Sequence, residues 1–363
     1  MFLSHLHVER LRALALVDID LSPNINVFVG PNGAGKTSLL EAVGFLASGR
    51  SFLGPRPHTL IQSTAASVLV AGRLQRDDVA IQMGIQREAS GRVEARINGV
   101  PQDALSAMAR ELPYLVVGAE GLGWVAGTPS RRRALLDWGV FHVLAQPTMV
   151  YSRYRKALDQ RNKALKNGRL SNAEISLWDG VLAEAGEAIH ELRAQYFSLL
   201  KQAFYNVLSR VDGMPAIEVG YLPGYSDHKG GLGDALGRGL ARDRILGSTQ
   251  SGPHRGDLQL TARGAALTDA LSRGQQKVVV SALVLAQQEL LSRHRERRVV
   301  LLVDDLAAEL DDERQRSLFG LMTQTGAQVL LSAVEAQRVS PLIENAGDVR
   351  MFHVKQGAIA RGD

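Results

Sequence analysis

Hydrophobic and polar positions change their period twice along this chain. The first third alternates as a sheet does. Residues 25–29 (INVFV) make a short, wholly apolar run that ends at a Gly-rich turn, the pattern of a buried strand. Residues 67–75, 79–86 and 91–100 carry period-two or continuous apolar stretches, and Asn98-Gly99 is a strong hairpin-turn signal. From about residue 128 the period becomes helical, with Thr128 as an N-cap and Pro129 at the first helical position. Ser171 and Glu174 then form a capping box. Apolar residues at Leu177, Val181, Ala185, Ala188, Leu192, Tyr196 and Leu199 follow it. They predict one helix of about 40 residues, roughly 60 Å long, stopping at Asp212-Gly213-Met214-Pro215. Residues 221–239 are glycine-rich and read as a loop or hinge. Strand texture returns at 299–305 and 327–333, and 351–360 reads as a closing hairpin.

This order predicts an α/β body in two pieces with a helical arm inserted between them. The pieces are residues 1–120 and 246–363, and the arm is 121–245. A length of 363 residues supports more than one core. No window approaches the ~20 uninterrupted apolar residues of a membrane span. Glu9, Arg10, Arg12, Asp18 and Asp20 among the first twenty residues argue against a signal peptide. The absence of cysteine excludes a disulfide framework, a thiolate zinc site and a cysteine nucleophile, and it points to the reducing cytoplasm. The net charge of +5 is unevenly spread. Residues 131–169 hold ten Lys/Arg against Asp137 and Asp159, so the rest of the chain is slightly acidic. A basic segment on a near-neutral body suggests a polyanionic partner, and Arg131, Arg153, Arg155, Lys156 and Arg161 are its candidate DNA contacts.

Candidate chemistry begins at VGPNGAGKTS, which fits G-x-x-x-x-G-K-[ST] between a strand and a helix expected to be amphipathic. The loop Gly30, Pro31, Asn32, Gly33, Ala34 and Gly35 would curl so that its backbone N–H groups, which Pro31 alone lacks, face phosphate oxygens, and Ser38 follows in the first helical turn. Lys36 would reach the β- and γ-phosphates of ATP, and Thr37 would ligate Mg²⁺. VVLLVDD supplies the missing carboxylates at a strand's C-terminal end. Asp304 is the second Mg²⁺ residue, and Asp305 stands where a general base for the attacking water is expected. A second helix start, LSRGQQK, pairs Ser272 with Gln275 in a capping box, which by itself describes only a well-capped helix.

The order LSRGQQK, then VVLLVDDLAAELD, resembles ATP-binding-cassette and SMC-like ATPases. In those proteins the signature helix start meets the γ-phosphate of ATP held on a second subunit. The resemblance therefore implies that Ser272, Gly274 and Gln275 act across a homodimer, with Ala307–Asp311 as the interface-crossing loop. GTPSRRRALLDWGVFH, LDQRNKALK and SGPHRGDLQL narrow the resemblance to the bacterial RecF family over essentially the whole chain. That family implies an SMC-like head without long coiled coils. It also implies ATP-driven dimerisation on gapped or junction DNA, with weak, DNA-dependent ATP hydrolysis. Its partners RecO and RecR help load RecA in repair and replication restart. Arg12 would approach the nucleotide phosphates, and Glu120 falls in a nucleotide-sensing loop.

Three departures stand out. Leu53 replaces the family's usual Arg, Leu11 and Ala13 replace Phe and Asn, and VLLSAVEAQ lacks a switch histidine. With Asp305 in place of a longer Glu, slow hydrolysis is expected. The competing reading, a nucleotide-binding subunit of a membrane transporter, needs that histidine and a permease-docking helical domain, where this chain has a basic arm. A purely structural SMC-like head would need a longer coil than the insert allows.

Overall fold

The computed structural model describes residues 1–54, 60–118, 121–145, 149–167, 170–226, 230–305, 310–344 and 346–362. In chain order the strands are β1 (Phe2–Leu11), β2 (Leu14–Asp20), β3 (Ile25–Val29), β4 (Ser67–Arg76), β5 (Val79–Glu88), β6 (Val93–Ile97), β7 (Val100–Pro101), β8 (Tyr114–Val117), β9 (Ile217–Leu222), β10 (Asp257–Ala262), β11 (Ala265–Ala266), β12 (Val300–Asp304), β13 (Gln328–Ala333), β14 (Val349–Lys355) and β15 (Ala358–Arg361). The helices are α1 (Lys36–Ser48), α2 (Leu105–Glu111), α3 (Leu122–Val125), α4 (Pro129–His142), α5 (Met149–Lys166), α6 (Asn172–Ser176), α7 (Asp179–Leu208), α8 (Gly231–Leu246), α9 (Leu267–Ala270), α10 (Arg273–Arg295), α11 (Asp312–Gln324) and α12 (Ala336–Ile343). They fall into two compact units, one of Met1–Leu122, Phe204–Met214 and Ser272–Asp363, the other of Gly123–Ala203 and Pro215–Leu271.

The first unit has two six-stranded sheets. One is antiparallel, in the order β2-β1-β4-β5-β6-β7; the other runs β15-β14-β3-β13-β12-β8. In the second sheet β14, β3, β13, β12 and β8 are all parallel, and only β15 turns back. Helix α1 packs against strands of both sheets, so it is buried on nearly every face, from Leu39 to Ala47. This corrects the amphipathic expectation: a helix between two sheets has no solvent side to make polar. The sheets are also tied by Gln328, which is fully buried on β13. Its side chain accepts from the Leu3 N–H (2.8 Å) and donates to the carbonyls of Leu3 and Ser22 (2.8 and 2.7 Å). Those three bonds answer the cost of burying an amide.

The β5–β6 and β6–β7 pairings follow the predicted alternation, and Asn98 and Gly99 turn the chain with φ of 48° and 79°. Such a pair of positive φ values is the hairpin geometry that Asn-Gly favours.

The second unit departs further from the sequence pattern. The predicted 40-residue helix is broken into α6 and α7 at Leu177 and Trp178, and Leu177 is 75% exposed. Asp179 opens α7 and accepts from the Arg161 guanidinium at 2.6 Å, a tertiary pairing that periodicity does not encode. The glycine-rich segment is not all loop. Its end forms α8, whose Leu232, Leu236 and Leu240 are buried at helical spacing beneath the glycines. Those glycines lowered the helical signal without removing the apolar stripe. This unit's sheet, β11-β10-β9, pairs residues 257–262 with 217–222. Accordingly Pro215–Leu271 clusters with the helices, so this unit extends past the boundary that the sequence pattern predicts at 245/246.

His254 is an internal marker for the second unit. Its Nε2 lies 2.9 Å from the Thr249 carbonyl and its Nδ1 2.7 Å from the Tyr154 hydroxyl. A carbonyl only accepts, so Nε2 carries the hydrogen, Nδ1 accepts from Tyr154, and the ring is neutral. Burial pushes its pKa down to about 4 from an ordinary 6.5. The unfolded chain then binds the extra proton between those values, so this contribution to stability is full above about pH 6.5 and fades as pH falls toward 4. We expect the melting temperature to drop between pH 7 and pH 5 in the wild-type chain and to drop less in His254→Gln. Equal slopes in thermal melts across that range would refute the assignment.

Candidate functional site

The parallel register assembles the site. Val29, which leads into the Gly-rich loop, is opposite Ala333 on β13, and Ser332 on β13 is opposite Asp304 on β12. All three strands therefore deliver their C-terminal ends to one edge. The loop itself is clamped from both sides. Gly30 donates to the Ala333 carbonyl at 3.2 Å, and a Cβ on Gly30 would lie 2.2 Å from the Val354 carbonyl oxygen, so no side chain fits there. The Ala34 carbonyl accepts from Gly357 N–H (2.9 Å), in the turn between β14 and β15.

The walls include Asn32, Gly33, Gly35, Lys36, Thr37, Ser38, Asp304 and Asp305, with Ala13, Ser332, Ala333 and Val334 around a cleft of about 250 Å³. Lys36, mostly buried, donates through Nζ to the carbonyls of Gly30 (2.7 Å) and Pro31 (2.9 Å). Burial pushes its pKa below the usual lysine range, and the nearby carboxylates of Asp304 and Asp305 act in the opposite direction. Thr37 Oγ1 lies 3.1 Å from both carboxylate oxygens of Asp304. Ser332 donates to Asp304 Oδ1 at 2.6 Å and accepts from the Asp305 backbone N–H at 3.1 Å, so one hydroxyl holds the Asp304 carboxylate and the Asp305 backbone. Asp305 has φ 51°, a left-handed conformation uncommon outside glycine. A hydroxyl beside a carboxylate is an all-oxygen donor set that suits Mg²⁺ shared with phosphate oxygens and water. Among the described residues no cluster of three or more His, Cys, Asp or Glu could hold a metal alone.

Other predicted residues are placed elsewhere. Arg12 is not on the cleft wall. Its guanidinium pairs with Glu41, the Nη2–Oε1 contact being 2.9 Å and the Nε–Oε2 contact shorter still, and Ser51 donates to the same carboxylate. Glu41 is fully buried, so removing Arg12 would strand a charge at a cost of about 3–5 kcal/mol. Ser272 caps α10, with Gln275 N–H 3.3 Å from its Oγ and its own N–H 3.1 Å from Gln275 Oε1. Neither these two residues nor Gly274 line the cleft of their own chain. Leu11 is fully buried and Leu53 partly so. Glu120 and Ala307–Glu309 lie outside the described residues.

Of the arm residues, Arg131, Arg155 and Lys156 are exposed. Arg153 is exposed too, but forked onto Glu184 at 2.9 and 2.8 Å. Arg161 must be withdrawn as a DNA contact. It is fully buried and donates to Asp179, Asp243 and Thr249. Sequence reasoning missed Glu41 and Ser332. Each is a lone polar residue in an apolar run, SLLEAVGFL and VLLSAV, and that isolation was the available signal.

Residues 2–359 match the family model for the RecF/RecN/SMC N-terminal domain. The chain is 36% identical to the DNA replication and repair protein RecF of Pseudomonas paraeruginosa over 362 residues, 99% of this chain and 98% of that one. It is 37% identical to the Azotobacter vinelandii protein of the same name, covering 99% of each. Among solved structures it is similar to the recombination mediator protein RecF-ATP of the RecFOR pathway. The TM-score is 0.88 at 24% identity, over 100% of this chain and 98% of that one. A more distant likeness is to an Smc head bound to the C-winged helix domain of ScpA, with TM-score 0.59 at 14% identity and coverage of 100% and 97%.

The Gly357 contact yields a test remote from the chemistry. Gly357 has φ 79°, and a Cβ there would lie 2.0 Å from the Ala13 carbonyl oxygen. Gly357→Ala should push the turn off both Ala34 and Ala13 and lower nucleotide affinity by about tenfold, in keeping with roughly 1–3 kcal/mol of backbone strain. Gly91→Ala, also at positive φ but with open space around it, should cost stability without affinity. Nucleotide titrations of the two variants side by side decide it.

Proposed function

The chain belongs to the RecF/RecN/SMC family, and on that premise we propose that it is an ATP-switched DNA clamp of recombinational repair and replication restart. ATP and Mg²⁺ bind in the cleft, and two copies close around two nucleotides. The closed homodimer holds gapped duplex or single-strand/double-strand junction DNA. RecR and RecO act with it, and RecA is loaded as the indirect result. We place this activity in the cytoplasm; no helix among the described residues is long and apolar enough to cross a membrane.

One observation carries the reading. The cleft gathers Lys36, Thr37, Asp304 and Asp305, while Ser272 and Gly274, at the other helix start suited to an anion, are no part of it. A second copy brings that helix start to the first copy's γ-phosphate. In this mechanism the loop N–H groups and Lys36 hold the phosphates, Lys36 exchanging the Gly30 and Pro31 carbonyls for phosphate oxygen. Thr37 and Asp304 hold Mg²⁺, which when bound neutralises charge on the β- and γ-phosphates. Asp305 accepts a proton from the water that attacks the γ-phosphorus, and the bond to the bridging oxygen breaks. A short, exposed aspartate positions that water loosely, so hydrolysis is slow and ATP serves mainly as a dimerisation switch. On the arm, Arg131, Arg155 and Lys156 contact the DNA backbone, with Arg153 sharing its charge with Glu184. Aromatic residues are only 5% of the chain, too few for a stacking platform, which favours backbone contacts near a junction.

Lys36→Ala should lose ATP binding and the ATP-driven dimer. Asp305→Asn should bind ATP, hydrolyse it more slowly and keep the dimer longer. Ser272→Arg should bind ATP as a monomer yet fail to dimerise, because a bulky cation displaces the hydroxyl and N–H groups at the partner's phosphate. Mixing Ser272→Arg with Lys36→Ala places both defects in one composite site and leaves the other intact, so some ATPase activity should return. Normal dimers of Ser272→Arg in sedimentation would sink the composite site; that substitution then costs only the cap, about 1 kcal/mol.

A further inference from the structure

The arginines around the SGPHRGD turn are unevenly neutralised. In the second unit Asp137 is taken by Arg193, whose Nε and Nη2 reach it at 2.8 and 2.9 Å. Asp257 is taken by Arg132 in the same forked way, at 2.8 Å twice. Each acid is thereby forked onto one arginine, with Asp137 also accepting from the Tyr151 hydroxyl at 3.0 Å and Asp257 from the Leu258 N–H at 2.9 Å. Two further guanidiniums attach to the same turn through carbonyls, with no carboxylate in direct contact. Arg133 donates to the Gly256 carbonyl at 2.8 Å, and Arg255 points Nε and Nη2 at the Thr249 carbonyl from 3.4 and 3.3 Å. Neither has a carboxylate within ion-pair distance among the described residues.

This arrangement costs free energy. Arg133 is half-buried, and its pKa is lowered first by burial and then by the positive charges of Arg193 and Arg255, with Asp257 and Asp137 acting in the opposite direction. The turn that carries the pair is rigid. Arg255 N–H bonds back to Gly252 at 2.8 Å, Gly256 N–H to Pro253 at 3.1 Å, and Gly252 N–H to Gly224 at 3.0 Å. Two guanidiniums held on a stiff turn with unspent donors match a phosphate, which accepts forked pairs of N–H bonds.

We propose that Arg133 and Arg255 form a clamp for one phosphodiester of bound DNA, distinct from the exposed cations of α5. This rests on the DNA-binding reading above. A phosphate clamp fixes the register of a duplex without reading its bases.

The test is fluorescence anisotropy of the full chain with ATP on a labelled duplex carrying a single-strand gap, titrated with salt. Arg255→Gln should weaken binding about tenfold at low salt and lower the magnitude of the log K against log[salt] slope by roughly 0.9. Adding Arg133→Gln should change the slope little further, because both groups grip the same phosphate. Arg133→Lys should keep most of the slope. Losses should be equal on A·T-rich and G·C-rich duplexes. Arg133→Gln could disturb the turn through its Gly256 contact; Arg255 is exposed, so its variant alone keeps the test decisive. If Arg255→Gln and the double variant keep the wild-type slope while alanines at Arg155 and Lys156 reduce it, the clamp is refuted and DNA binding stands. If the wild-type chain shows no salt-dependent binding, the underlying reading fails instead.

Discussion

Parallel registration of β3, β13 and β12 is the constraint on which the first unit depends. Parallel strands share a direction, so their C-terminal ends meet at one edge and the loops leaving them become neighbours. Val29, Ser332 and Asp304 are adjacent for that reason alone, although Val29 is more than 270 residues from either of the others in sequence. A one-residue slip of β12 against β13 would take Asp304 from its place opposite Ser332. The hydrogen bonds that Ser332 makes to both acids would break together. Because β12 and β13 are apolar almost throughout, burial alone would tolerate the slip, and the polar bonds of Ser332 are what resist it.

Polar residues inside this apolar frame act as fixed points. Gln328 joins the two sheets through three bonds that only one relative placement satisfies. Glu41 does the same for α1, since its buried carboxylate needs Arg12 and Ser51. These groups add little net stability but penalise alternative placements heavily, because an unpaired buried charge or amide loses water and gains nothing. Such an arrangement gives Arg12 a structural role whatever else it does. Leaving Glu41 for a phosphate would transfer the cost to the carboxylate.

The second unit shows how misleading a count of charges can be. Ten Lys/Arg in residues 131–169 make a basic segment that suggests a polyanionic partner. Instead Arg161 is wholly internal, Arg132 is committed to Asp257, and Arg153 is matched by Glu184. The carboxylates that claim them, Asp179, Asp243, Asp257 and Glu184, all lie beyond that window. Net charge over a window is additive, but availability for a partner depends on which acids the fold brings near.

Local chemistry was legible wherever it is written in neighbouring residues. The Gly-rich loop, the capping boxes at Ser171 and Ser272, the Asn98-Gly99 turn and the apolar strand ending in two aspartates each depend on contacts a few residues apart. Propensity and periodicity report such contacts directly, and these segments also carried the family resemblance. Tertiary structure alone decided what depends on distant partners. It broke the long helix at Leu177, folded α8 out of a glycine-rich stretch, buried α1 on all sides, and gave Arg12 to Glu41 and Arg161 to Asp179 and Asp243. In each case the deciding energy is the burial of an apolar face or the pairing of a desolvated charge. Neither quantity exists until elements far apart in the chain have met.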